Sequence, residues 1–133
     1  MLFRSELADG QGLTVNGIED RLGQVLRNLI ANAASFSPAA GTIRLTARAA
    51  GDAVEVVVED EGPGIPPDNL EKIFDRFYSE RPEGEKFGTH SGLGLSISRQ
   101  IVNAHGGTIW AENRKHPDGT VAGARFVIRL PRE

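Results

Sequence analysis

Cysteine is missing from this sequence altogether, which excludes disulfides and thiolate metal sites and permits a reducing compartment. Long apolar runs are missing too. None approaches the roughly 18 residues that a membrane-crossing helix needs, and the first residues do not read as a signal peptide. There is no basic excess: 15 Lys+Arg against 18 Asp+Glu leave a net charge of −3, which gives no electrostatic case for nucleic acid or for direct contact with an anionic membrane. No Gly-x-Ser-x-Gly elbow or zinc-binding histidine pair supports a hydrolase. What is left, 39% hydrophobic and 25% charged residues in a chain of 133, is an ordinary globular composition, and a single domain over residues 1–133 is expected.

Periodicity places the elements. Leu2 to Leu7 and Gly12 to Val15 read as two strands across an Asp9-Gly10 turn. Asn16 with Glu19 three positions on forms a candidate helix-start box, followed by Ile18, Leu22, Val25, Leu26, Leu29, Ile30 and Ala33 at helical spacing. Pro38 ends that helix. Thr42–Arg48 and Val54–Asp60 alternate as a hairpin around Ala50-Gly51-Asp52. Pro66-Pro67-Asp68-Asn69 opens a short helix through Leu70, Ile73 and Phe74. Ser79 to Ser91 has no period, the mark of a binding loop or lid. A second strong helix starts near Gly94-Leu95 and is capped by Gly106-Gly107, and Thr108–Glu112 with Arg125–Leu130 closes as a hairpin around Pro117-Asp118-Gly119. The expected fold is α+β: a two-layer sandwich with a mixed, mostly antiparallel sheet and three helices on one face.

Three stretches carry chemistry. Asp60 shares the buried face of its strand with Val54, Val56 and Val58, and an uncompensated buried polar group costs roughly 2–7 kcal/mol. The glycines at 62 and 64 leave room for a ligand to approach the chain. Asp60 is therefore a candidate acceptor at the floor of a pocket, although a strand ending in a polar turn explains the same residues. Asn28 and Asn32 stand one turn apart on a polar stripe of the first helix. Asparagine forms helices poorly, so the pair asks either for a role or simply for exposure to water. Gly92 and Gly94 open a helix where backbone N–H groups and the helix dipole favour phosphate, or where a loop merely turns sharply. Their spacing fits neither a Walker loop nor a dinucleotide fingerprint.

Together these stretches resemble the ATP-binding catalytic domain of sensor histidine kinases, within the wider gyrase, Hsp90, histidine kinase and MutL superfamily. Arg21 to Ala33 is similar to its N box and Asp60-Glu61-Gly62-Pro63-Gly64-Ile65 to its first glycine box. Ile73 to Tyr78 resembles its F box, Ser91-Gly92-Leu93-Gly94-Leu95 its second glycine box and Gly123-Ala124-Arg125-Phe126 its third. The lid residues look most like those of alphaproteobacterial envelope-sensing kinases. The resemblance implies ATP and Mg²⁺ as ligands. Asp60 would accept a hydrogen bond from the adenine amine, and Asn32 would hold the metal with Asn28 beside it. Ser35 and Phe36 would continue the nucleotide site, Ile65, Phe77 and Tyr78 would pack near base or sugar, and Ser91, Gly92, Leu93, Gly94 and Leu95 would offer amides to phosphate. Arg76 or Arg81 would stabilise charge on the transferring group.

The sequence departs from the family pattern at Ser35, where a lysine is frequent, at Phe36, at Ala124 and at His90. The superfamily's ATPases carry a glutamate base where this chain has Asn28, and an amide takes no proton from water at neutral pH. The resemblance therefore implies transfer to a protein: to a histidine on a separate dimerisation and phosphoacceptor helical hairpin, with a response regulator downstream. A serine kinase of the same fold and a docking module without catalysis are the alternatives. His90, His105 and His116 lack a phosphoacceptor's helical, acidic setting and read as structural or solvent-facing. The domain is expected in the cytoplasm, as part of a parent protein that the resemblance places in the inner membrane.

Overall fold

The computed structural model describes residues 2–7, 15–75 and 94–132. In chain order its main elements are β1 (Leu2–Leu7), α1 (Glu19–Phe36), β2 (Thr42–Ala50), β3 (Ala53–Glu59), α2 (Gly94–Ala104), β4 (Thr108–Lys115) and β5 (Val121–Pro131). The strands form one sheet in the order β1-β2-β3-β5-β4. β1 runs parallel to β2, from Leu2 opposite Thr42 to Leu7 opposite Ala47, and every other pairing is antiparallel. The sheet is thus mixed and mostly antiparallel, as expected. The proposed turn at Asp9-Gly10 and the strand residues Gly12 to Thr14 lie outside the described residues.

One core joins the layers. Val25, Leu29 and Ala33 of α1 and Ile101 and Val102 of α2 pack with Ile43, Val58, Phe126 and Ile128 of the sheet. Alternation on β5 sends Phe126, Ile128 and Leu130 inward, opposite Val58, Val56 and Val54 of β3. Among the described residues no helix is long and apolar enough to cross a membrane.

Two local expectations change. The box of Asn16 and Glu19 is not made: the N-cap of α1 is Ile18, in extended conformation and without a side-chain cap. Instead the Ile18 N–H donates to Nε2 of His105 at 3.0 Å. The short helix after Pro66 is two separate 3₁₀ turns, Pro67–Asn69 and Lys72–Phe74, so two α-helices rather than three cover the sheet among the described residues. Two prolines fix the first turn, but a stretch this short closes too few hydrogen bonds to propagate an α-helix. The second turn is held from α2, where Arg99 stacks on the Phe74 ring 4.1 Å from its centroid and pairs with Glu71 at 3.1 Å. The helix ends are as expected. Ser37, before Pro38, is extended, and α2 closes in a Schellman turn, with Gly106 at φ +78° and the Gly107 N–H donating to the Val102 carbonyl at 3.0 Å.

The sheet's outer face is tied by charge. Glu55, 8% exposed, accepts from Arg48 at 2.9 Å through one oxygen and from Arg129 at 2.9 Å through the other. The hydrogen bond from Arg48 and then that from Arg129, against the opposing effect of burial, hold its carboxyl below the ordinary value of 4.5. A depressed folded-state pKa means that the stabilisation is complete above 4.5 and is lost as pH falls through the lower folded value. Glu55→Gln is expected to cost about 1–2 kcal/mol at neutral pH, because both arginines reach water once the carboxylate is gone. Chemical denaturation at neutral pH and again at acidic pH checks this: the gap between the two proteins should close in acid.

Candidate functional site

The end of β3 leads into a turn that three other elements hold. Asp60 is 2% exposed, and its backbone N–H donates to the Ala124 carbonyl at 2.9 Å. Oδ1 accepts from the N–H groups of Ala124 at 3.0 Å and Gly62 at 2.9 Å. Among the described residues no donor reaches Oδ2. The sequence alone suggests a carboxylate whose donor comes from outside the protein; Oδ1 is instead met by backbone N–H groups of the chain itself. Burial raises the carboxyl's pKa above 3.8, opposed by the two backbone hydrogen bonds and by the charge of Arg114. Among the described residues this buried residue has one carboxylate oxygen held and one without a donor, which suits a polar N–H donor.

The close approach of β5 depends on Gly123, where a Cβ would overlap the Asp60 carbonyl oxygen. On the other side α1 ends against the turn. The Phe36 carbonyl would lie 2.8 Å from a Cβ at Gly62, and the Glu61 N–H donates to Ser37 Oγ at 3.3 Å. Gly64 adopts φ +81° and packs beneath Asn113 and Val121, which bars any side chain there. Asn113 then pins Ile65 as a strand partner would: its Oδ1 accepts from the Ile65 N–H at 2.7 Å and its Nδ2 donates to the Ile65 carbonyl at 2.7 Å. Arg114 donates to the Asp60 carbonyl at 2.6 Å. Neither residue stood out in the sequence, where both read as ordinary polar positions of a strand.

From α1, Asn28 meets the start of α2: Nδ2 donates to the Gly94 carbonyl and to Ser98 Oγ, each at 3.3 Å. Half-buried Asn32 lies one turn on, and no partner for its amide appears among the described residues. A Cβ on Gly94 would lie in ordinary contact with the Asn28 side chain, 3.8 Å away, so α1 packs directly against the helix start. Leu95 packs on the core, as does Ile65. Ser35, next along the stripe, has a buried hydroxyl without a hydrogen-bond partner among the described residues, and Phe36 is half-buried beside it. α1 thus touches two of the predicted stretches: Asn28 meets Gly94 and Ser98, and Phe36 with Ser37 meets the turn at Glu61 and Gly62. Arg76, Phe77, Tyr78, Arg81, Ser91, Gly92 and Leu93 lie outside the described residues, as does His90. His105 is structural, and His116 sits exposed in the β4–β5 turn. Among the described residues no group of three or more histidine, aspartate or glutamate side chains converges on a metal position. A hard cation here would draw on amide oxygen, water and the oxygens of its ligand.

A sequence profile of the family described as histidine kinase-, DNA gyrase B-, and HSP90-like ATPase matches residues 17–133. The chain belongs to that family. The chain is 55% identical over 120 residues to the sensor protein ChvG of Rhizobium meliloti strain 1021, an alignment that covers 88% of this chain and 20% of that protein. This ATPase-family chain therefore spans about a fifth of the length of such relatives. Among solved structures, a mycobacterial sensor histidine kinase, MprB, superposes with a TM-score of 0.83 at 31% identity, over 99% of this chain and 82% of that one. Full-length ShkA, solved in complex with AMPPNP, matches with a TM-score of 0.80 at 30% identity, over 98% of this chain and 25% of that one. The ATPase-family fold expected from the motifs is the fold observed, and ChvG agrees with the alphaproteobacterial character of the lid.

Proposed function

We propose that this domain binds Mg²⁺–ATP and donates the γ-phosphoryl group to a histidine on a separate dimerisation and phosphoacceptor hairpin, from which a response regulator takes it. The observation that carries the reading is Asp60, buried, with Oδ1 held by two backbone N–H groups and no protein donor at Oδ2 among the described residues. An exocyclic amine supplies the missing donor; the guanine ring offers an acceptor at the same position and is rejected. AMPPNP in the similar ShkA supports a nucleotide triphosphate as the ligand.

The residues present fit magnesium and ATP. Asn32, whose amide has no partner among the described residues, would hold the metal with Asn28 beside it, and the metal when bound would neutralise charge on the β- and γ-phosphates. Ile65, Phe77 and Tyr78 would enclose base and sugar. Backbone amides from Ser91 to Leu95 would orient the phosphates in line with the attacking imidazole, and Arg76 or Arg81 would offset the charge that develops. Asn28 cannot serve as a base for water, which favours transfer over hydrolysis. Ser35 and Phe36 border the phosphate side, and with a hydroxyl in place of the frequent lysine the affinity rests on the amides and the metal.

Calorimetric titration with ATP and GTP, each with and without Mg²⁺, tests the reading. ATP should bind and GTP should not, and Asn32→Ala should remove the gain in affinity that Mg²⁺ gives while leaving metal-free binding in place. Equal binding of GTP, or no ATP binding at millimolar concentration, rejects it and leaves a docking module of the same fold.

A further inference from the structure

Asn28 is held from α2 in a way that decides which end of its amide faces the ligand. Nδ2 lies 3.3 Å from the Gly94 carbonyl. A carbonyl only accepts, so the nitrogen rather than the oxygen must point there. The second proton of the same nitrogen meets Ser98 Oγ, also at 3.3 Å. Ser98 is 0% exposed, and it stands one turn after Gly94, so the regular rise of α2 places carbonyl and hydroxyl side by side under the amide. With both N–H bonds engaged, Asn28 has only Oδ1 left to offer.

We propose that Ser98 is a positioning residue of the nucleotide site. Its hydroxyl, together with the Gly94 carbonyl, locks the Asn28 amide with the oxygen outward, so that α1 presents Asn28 Oδ1 one turn from the Asn32 amide, which has no partner among the described residues. The inference rests on the ATP-binding reading above. It adds that position 28 serves the cation and its water, not the phosphate oxygens, which an amide N–H would have served. Without the hydroxyl, one N–H of Asn28 has no buried acceptor. The amide is then held by the Gly94 carbonyl alone, and a flip that shows a donor to the metal becomes less costly.

The test uses the 133-residue chain as wild type, Ser98→Ala and Ser98→Thr. Each is titrated with ATP in the presence and absence of Mg²⁺, and the Asn28 side-chain amide is followed by NMR without nucleotide. Ser98→Ala should weaken ATP binding roughly three- to tenfold with Mg²⁺, the worth of one neutral hydrogen bond, leave metal-free ATP binding unchanged, and speed solvent exchange of one Asn28 amide proton. Ser98→Thr keeps the hydroxyl and should restore all three. A full magnesium gain in Ser98→Ala, or an equal loss with and without metal, overturns the proposal, the latter because it marks a purely structural role. Ser98→Ala adds no atom and decides alone if Ser98→Thr fails to fold. A wild-type chain that binds no ATP overturns the nucleotide reading itself; normal wild-type binding with an unaltered Ser98→Ala removes only the role of Ser98.

Discussion

Asp60→Asn is expected to leave the domain folded, at least as stable as the wild type at neutral pH, and with ATP affinity lowered about a hundredfold. The asparagine oxygen can keep both contacts of Oδ1, to the N–H groups of Ala124 and Gly62, so the turn retains its protein partners. Its nitrogen replaces Oδ2, and a donor then faces the adenine amine. Losing a charge-assisted hydrogen bond and adding a donor–donor clash lowers affinity by about two orders of magnitude. The stability half follows from linkage. Burial raises the Asp60 pKa in the folded state above 3.8, so the folded chain holds its proton to higher pH than the unfolded chain. Stability from this group therefore falls as pH rises from 3.8 through the raised folded value, and at neutral pH the ionised carboxylate is a net cost that asparagine removes. The advantage of Asp60→Asn should shrink in acid. Wild-type ATP affinity should likewise start to fall on acidification at a higher pH than an ordinary aspartate would dictate. Melting curves with calorimetry across pH check both halves. A variant that still binds ATP within a few-fold of wild type removes Asp60 from the base site.

The second large effect belongs to Gly123. A methyl group there would overlap the Asp60 carbonyl oxygen and lie 2.8 Å from its carbon and 3.0 Å from Glu61 Cα. All three are backbone atoms with no rotamer to yield, so Gly123→Ala must push β5 away from the turn. The two Asp60–Ala124 hydrogen bonds, one between backbones at 2.9 Å and one from the Ala124 N–H to Asp60 Oδ1 at 3.0 Å, break together. The expected loss is about 2–4 kcal/mol, or roughly 10 °C in Tm for a domain of this size, with ATP binding lost in whatever fraction stays folded. Gly119→Ala is the control. At φ +90° it has nothing within 4 Å and should cost only the backbone strain, about 1 kcal/mol. If the two variants melt together, the close approach at Gly123 does not matter.

The contrast between Gly123 and Asp60 also shows what the sequence made legible. Asp60 follows an alternating strand and precedes two glycines, and Asn28 and Asn32 repeat at one helical turn. In each case a regular period tells which face a side chain occupies, so the site could be anticipated from a short window. Asn113, Arg114 and Ser98 draw their roles from partners 48, 54 and 70 positions away, and nothing beside them in the chain marks them out. The same division runs through the fold. The hairpins and the glycine cap of α2 are local and were foreseen. The parallel pairing of β1 with β2 joins segments far apart in the chain, and the start of α1 was misplaced because its cap is not local.

That cap bears on the order in which the domain assembles. Nε2 of His105 accepts the Ile18 N–H across 87 positions, while Nδ1 faces the Ile101 carbonyl at 2.7 Å. The ring thus takes the tautomer with its proton on Nδ1, donating at one side and accepting at the other. A helix usually carries its own starting signal and can nucleate before anything else is in place. Here part of the signal comes from the end of another helix, so the cap of α1 is complete only with α2 docked. A fragment ending before His105 would keep every residue of α1 and lack part of the instruction for where it begins.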